Sequence, residues 1–127
     1  MEIKFRAVIP ERNAIIYFTL NDLLQDKFSN REILWEWLEK GNQPDLFIGL
    51  RDKKNKEIYE GDIIRKTNWK DYPQLNIIGQ VVIGTRGVKL KEYPDRFLEE
   101  TGYSLEVIGN VWEHPNLLKG GKNATKK

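Results

Sequence analysis

Cysteine is absent from the 127-residue chain, which excludes a disulfide framework, a thiolate nucleophile and a cysteine metal site. Histidine occurs once, at His114 beside a proline, and serine only at Ser29 and Ser104. A Ser-His triad would have to draw on these residues, yet nothing around His114 orients it, Ser104 lies in a strand pattern and Ser29 reads as a helix cap. No apolar run approaches the roughly 20 residues a membrane helix needs. Met1-Glu2-Ile3-Lys4 lacks the apolar core of a secretory signal, so a cytoplasmic chain is expected. Phosphate-binding and dinucleotide loops are missing too, because Gly84-Thr85-Arg86-Gly87 is too short and joins two strand patterns. The carboxylates show no calcium-loop spacing. No enzyme, metal or cofactor is expected from these absences.

Positive charge is scarcer than a pI of 8.8 suggests. Of the 21 basic side chains, Lys119, Lys122, Lys126 and Lys127 lie beyond Leu118, where no acid occurs; the other 17 face 19 acids. Residues 1–118 are therefore mildly acidic, and the usual step from high pI to a nucleic-acid surface is weakened. By length and composition, residues 1–118 read as a single globular domain, followed by a basic, disordered tail over residues 119–127.

The chain's periodicities define an α+β, β-rich domain. Residues 3–9 alternate as a strand, with Ile3, Phe5 and Ala7 on one face and Lys4 and Arg6 on the other. Pro10-Glu11-Arg12-Asn13 breaks it, and residues 14–18 run back as a hairpin. Residues 21–25 are too short to type from periodicity, though a polar pair before Leu23-Leu24 is a pattern that opens a helical turn. The main helix spans residues 29–40, with Ser29 and Glu32 at capping-box spacing, Phe28 and Ile33 as a hydrophobic staple, and Gly41 ending it. Ile33, Leu34, Trp37 and Leu38 form its apolar stripe; Trp35 lies roughly 130° away. That ring either covers a neighbouring loop or contacts a partner.

Residues 47–66 organise the rest. Phe47-Ile48-Gly49-Leu50, a polar turn over residues 51–56, Glu57-Ile58-Tyr59, the tight turn Glu60-Gly61-Asp62 and Ile63-Ile64 read as strand, turn, strand, turn, strand. Asn55 tolerates the left-handed backbone that the reversal needs. Gly61 supplies positive φ, and Asp62 accepts from amides of its own turn. Residues 67–76, with Trp69, Tyr72 and Pro73, form a long loop. Residues 77–83 and 88–91 make a second hairpin. Pro94 opens a short helix through Glu100 that ends at Gly102. A last strand covers residues 103–112, and His114-Pro115 stops regular structure. The whole suggests a small, strongly bent antiparallel sheet or partly open barrel, with the helix over one side or an edge.

Residues 50–64, densest in Lys56-Glu57-Ile58-Tyr59-Glu60-Gly61-Asp62-Ile63-Ile64, resemble the signature of the YopX family of small proteins encoded by bacterial phages and prophages. Lys4-Phe5-Arg6-Ala7 resembles the family's opening strand. Glu106-Val107-Ile108-Gly109-Asn110-Val111, with Glu113, Pro115 and Leu117, resembles its closing one. Val8 stands where the family commonly has tryptophan and Asn55 where it commonly has glycine. The resemblance implies a phage context and assigns no activity or catalytic residue.

Two functional readings follow from the residues. In the first, the chain is a non-catalytic protein-interaction or self-assembling module, since short strands leave sheet edges to be covered, with Trp35, Trp69 and Tyr72 as interface candidates. In the second, Arg51, Lys53, Lys54, Lys56, Arg65, Lys66, Lys70 and the lysine tail contact nucleic acid, with the Trp69-Tyr72 loop stacking on bases. Residues 51–70 hold seven basic and four acidic side chains, a weak excess of the kind solvated turns ordinarily carry. The protein module is the favoured reading.

Overall fold

A computed structural model of the chain describes residues 3–67, 77–84, 87–98 and 105–119. The chain divides into two compact units, Met1–Phe47 and Ile48–Lys127.

In the first unit, β1 (Lys4–Ile9) and β2 (Ala14–Thr19) form the expected hairpin in unbroken antiparallel register, Lys4 opposite Thr19 through to Ile9 opposite Ala14. Pro10 starts the 3-10 turn between them, and Asn13, at φ 50°, reverses the chain and donates its N–H to the Pro10 carbonyl at 2.9 Å. The start of β3 (Asp45–Arg51) pairs with β1, Leu46 opposite Phe5 and Asp45 opposite Arg6. Residues 21–25 do form a helix, α1 (Leu20–Gln25), fastened by a capping box in which the Asp22 N–H donates to Thr19 Oγ1 and the Thr19 N–H to Asp22 Oδ2. The Thr19-x-x-Asp22 spacing that marks this cap begins two residues before the segment 21–25.

The main helix, α2 (Arg31–Glu39), presents Leu34 fully buried, with Ile33, Trp37 and Leu38 against Ala7, Ile9, Ile16 and Phe18. Its expected Ser29–Glu32 capping box does not form. Asn30 occupies the cap position at φ 62° with no side-chain cap bond, and its left-handed turn displaces Ser29 from the amides it would have met. Phe28 and Ile33 both pack against this core, Phe28 stacking with Phe18 at 6.3 Å and Phe18 with Phe5 at 5.3 Å. Gly41, at φ 91°, ends the helix as expected, donating its N–H to the Leu38 carbonyl.

The second unit holds β4 (Glu57–Tyr59), β5 (Asp62–Lys66), β6 (Ile77–Gly84), β7 (Gly87–Leu90), β8 (Tyr93–Phe97) and β9 (Leu105–Asn110). Five of these make one antiparallel sheet in the order β8-β7-β6-β5-β9. Its core joins Ile58, Ile64, Ile77, Val81, Leu90, Leu98 and Leu105. Three expectations are corrected here. Pro94 sits in strand β8 and not in a helix: the strand is an edge, where a missing N–H costs no ladder bond. The closing strand stops at Asn110, because that side chain caps the following turn. Past His114-Pro115 a four-residue helix, α3 (Asn116–Lys119), restores regular structure. The proposed loop segment over residues 68–76, the end of the Pro94 segment at Gly102 and the tail beyond residue 119 lie outside the described residues. The β-rich class holds, and among the described residues neither sheet closes into a barrel.

Candidate functional site

The polar turn after β3 is built on Asp52. Its carboxylate is buried, 6% exposed, and Oδ1 accepts the N–H groups of Lys54 and Lys56, each at 2.9 Å. Oδ2 accepts the N–H of Val107 on β9 at 2.9 Å, while the next backbone N–H, of Lys53, donates to the Leu105 carbonyl at 2.9 Å. Burial pushes this carboxyl up, but the Val107, Lys56 and Lys54 amides and the Lys56 charge outweigh it and hold the group below its ordinary value. Asn55 takes the left-handed conformation expected of it, φ 66°. Asp52 thus ties a local turn to a strand 55 residues away.

The second turn works on the same principle. Asp62, 1% exposed, accepts the Tyr59 N–H at 2.8 Å. Gly61, at φ 88°, donates its N–H to the Val81 carbonyl and accepts at its own carbonyl from Val111, both at 2.9 Å.

The basic side chains of residues 51–66 are largely spoken for. Glu106 on β9 receives Lys54 at 3.0 Å, Arg65 at 3.3 Å and Lys53 at 3.7 Å. The Lys54 hydrogen bond leads in holding its carboxyl below the ordinary value, against a smaller upward push from burial, with the charges of Lys54, Lys53 and Arg65 adding to the fall. Arg51 pairs with Glu57 at 3.4 Å and donates to the Asn55 carbonyl at 3.3 Å. Lys66 is only 8% exposed and presents little to solvent; Lys56 is exposed. Lys70, Trp69 and Tyr72 lie outside the described residues. The structure therefore brings Lys53, Lys54 and Arg65 together, around a carboxylate that no local sequence signal marked.

Trp35 is half-buried, and its indole N–H donates to Asp26 Oδ1 at 2.7 Å. Asp26 is the left-handed cap of α1, φ 54°, and also pairs with Arg31 at 2.8 Å. The Trp35 hydrogen bond is the main reason the Asp26 carboxyl lies below its ordinary value. The off-stripe ring is thus anchored at its polar end to the loop between α1 and α2.

Elsewhere in the first unit, Arg6 and Asp45 form a buried ion pair, with Nη2 at 2.7 Å and Nε at 3.1 Å from Oδ2. A hollow of about 40 Å³ beside Ile9, Arg12, Glu36 and Trp37 has room for one or two waters. His114 accepts the Asn110 N–H at Nδ1, 3.2 Å, which leaves the proton of the neutral ring on Nε2. Among the described residues no group of three or more His, Asp or Glu could hold a metal ion, and no helix is long and apolar enough to cross a membrane.

Large exposed apolar side chains, by contrast, are unevenly placed. Five of the seven, Ile3, Ile15, Tyr17, Leu20 and Leu24, fall within residues 3–24, leaving Ile83 and Trp112 for the rest of the described chain.

These features define a small β-rich protein whose turns are fastened by buried carboxylates and whose conspicuous apolar surface lies on its first hairpin and α1. The family model described as YopX protein matches residues 4–119, nearly the whole chain. The chain belongs to the YopX family, as the resemblance implied. No curated protein matches it.

Proposed function

We propose that the protein is a non-catalytic protein-interaction module of the phage or prophage type, acting in the host cytoplasm. The observation that carries this reading is that five of the seven large exposed apolar side chains among the described residues fall on one part of the chain, the first hairpin and α1, and apolar surface concentrated in one region is what interaction sites display. Trp35 lies on the helix that follows and stands as a further interface candidate, its ring oriented by Asp26. Charge points the same way: Glu106 and Glu57 already engage Lys53, Lys54, Arg65 and Arg51, which lessens what the turn offers to phosphates.

Fluorescence anisotropy against mixed-sequence DNA and RNA at two salt concentrations, using the full chain and a chain ending at Leu118, tests this reading. The expected result is no binding, or binding lost with the tail. Salt-sensitive binding that survives truncation overturns the proposal in favour of a nucleic-acid accessory protein. Light scattering and partner capture with Trp35→Ala then test the Trp35 assignment, which fails if neither mass nor capture changes.

A further inference from the structure

Four strands have a strand neighbour on one side only among the described residues: β2, β4, β8 and β9. Such edges display backbone donors and acceptors to any passing strand, and folded proteins blunt them. Three of these four are blunted. β4 is only three residues long. β8 carries Pro94, Asp95 and Arg96 in five residues, and its register with β7 is broken at Lys89/Leu90. The outer side of β9 is covered by the turn at Asp52, which takes the Val107 N–H, and by Lys53, which donates to the Leu105 carbonyl.

Among the described residues β2 has none of these devices. Its sequence, Ala14-Ile15-Ile16-Tyr17-Phe18-Thr19, contains no charge and no proline. All six residues pair with β1 without a register shift. Its side chains alternate: Ile16 and Phe18 are in the core, while Ile15 and Tyr17 are 40% and 57% exposed. Beyond its end, Leu20 and Leu24 are also exposed, the latter 78%.

Resting on the interaction-module reading, we infer that β2 is the assembly edge and that its occupant is the β2 strand of a second copy, antiparallel across a two-fold axis. The period-2 alternation restricts the register. A two-fold axis perpendicular to the sheet keeps inner faces together, so a strand paired with its own copy must be centred on a residue and not on a peptide bond. Centring on Tyr17 places Tyr17 opposite Tyr17, Ile16 opposite Phe18 and Ile15 opposite Thr19, which extends the apolar inner layer from one copy into the next. Because β2 has no charge, self-pairing brings no like charges together, and the strand has no ionic group with which to select a different partner. A two-fold pair also occupies both edges at once, so assembly stops at a dimer.

Sedimentation equilibrium of the full chain over a concentration series, combined with amide exchange, tests this. The mass should rise from monomer to dimer, and alternate β2 amides, those turned away from β1, should exchange more slowly as the dimer forms. Ile15→Lys places a cation on the edge of each copy and should raise the concentration of half-association at least about tenfold. Ile83→Lys, at a residue 44% exposed on the interior strand β6, should leave it unchanged. A monomer at every concentration overturns the inference, as does association that Ile15→Lys and Ile83→Lys affect equally. A dimer whose β2 amides stay unprotected overturns it as well, and this readout needs no variant. The two proposals fail separately: a monomer that binds no nucleic acid refutes only the strand pairing, whereas salt-sensitive nucleic-acid binding by the body refutes the functional reading with or without a dimer.

Discussion

In the unit Met1–Phe47 a buried carboxylate faces a buried cation, Asp45 against Arg6; in the unit Ile48–Lys127 the buried carboxylates of Asp52 and Asp62 face backbone amides. An ion pair joins two side chains whose desolvation largely cancels their attraction, so it fixes geometry more than it adds stability. A carboxylate on amides satisfies donors that would otherwise be buried without an acceptor and fastens the chain's path itself. The outer surfaces differ as well. The first unit leaves apolar side chains on its edge strand, while the second gathers its cations around Glu106.

The largest effect is expected at Asp45. Removing it in Asp45→Ala takes away the carboxylate that Arg6 faces and should cost about 3–5 kcal/mol in urea unfolding. Replacing both partners with apolar residues, Arg6→Met with Asp45→Leu, should recover most of that loss. A double variant as unstable as the single would break the comparison, because it would mean that the pair adds net stability.

Next comes Asp52→Ala, which removes the acceptor of three amides and should cost about 3 kcal/mol, with faster exchange at Lys54, Lys56 and Val107. The same group gives stability a pH dependence. Its folded pKa lies below the ordinary 3.8, so its contribution is present above that value and is lost as pH falls through the lower folded value. Urea midpoints measured downward from pH 5 should therefore fall more steeply in the wild type than in Asp52→Asn.

Gly109→Ala tests whether space fastens the second unit as charge does. A Cβ there would lie 2.8 Å from both His114 Nδ1 and Leu117 Cδ1, and His114 is held by the Asn110 amide, so overpacking of about 1–3 kcal/mol is expected from thermal unfolding. The smallest effect belongs to Glu106→Gln. It weakens surface pairs with Lys53, Lys54 and Arg65, and the unfolding free energy from urea titration should change by less than about 1 kcal/mol.

Local chemistry was legible in the sequence wherever a few residues decide the outcome. The hairpin broken at Pro10, the left-handed Asn55, the Gly61-Asp62 turn and the stripe of α2 all follow from their own neighbours. Where the reading went astray, a competing local signal or a distant partner had prevailed. Asn30 outcompeted Ser29 for the helix cap, and Pro94 is admitted to a strand because that strand is an edge, a fact set by topology. Burial of Arg6 depends on Asp45, 39 residues on, and the grouping of Lys53, Lys54 and Arg65 depends on Glu106, for which the sequence near the turn holds no sign. The segments that carry the family resemblance contain Asn55, Gly61, Asp62, Gly109 and Asn110, residues that shape turns and close approaches. They identify a framework, while Ile15, Tyr17 and Trp35, on which the functional reading rests, lie outside them.

Among the described residues, four other than glycine adopt positive φ: Asn13, Asp26, Asn30 and Asn55. Each has a side chain, so the unfolded chain samples fewer backbone states at these points than it would with glycine, and less disorder is surrendered when the turn forms. At Asn55 the turn closes a hairpin of neighbouring strands, where the loop-closure cost is already small. Reversal at residues 51–57 is accordingly suited to be an early event in folding, presenting Asp52 in place before Val107 arrives.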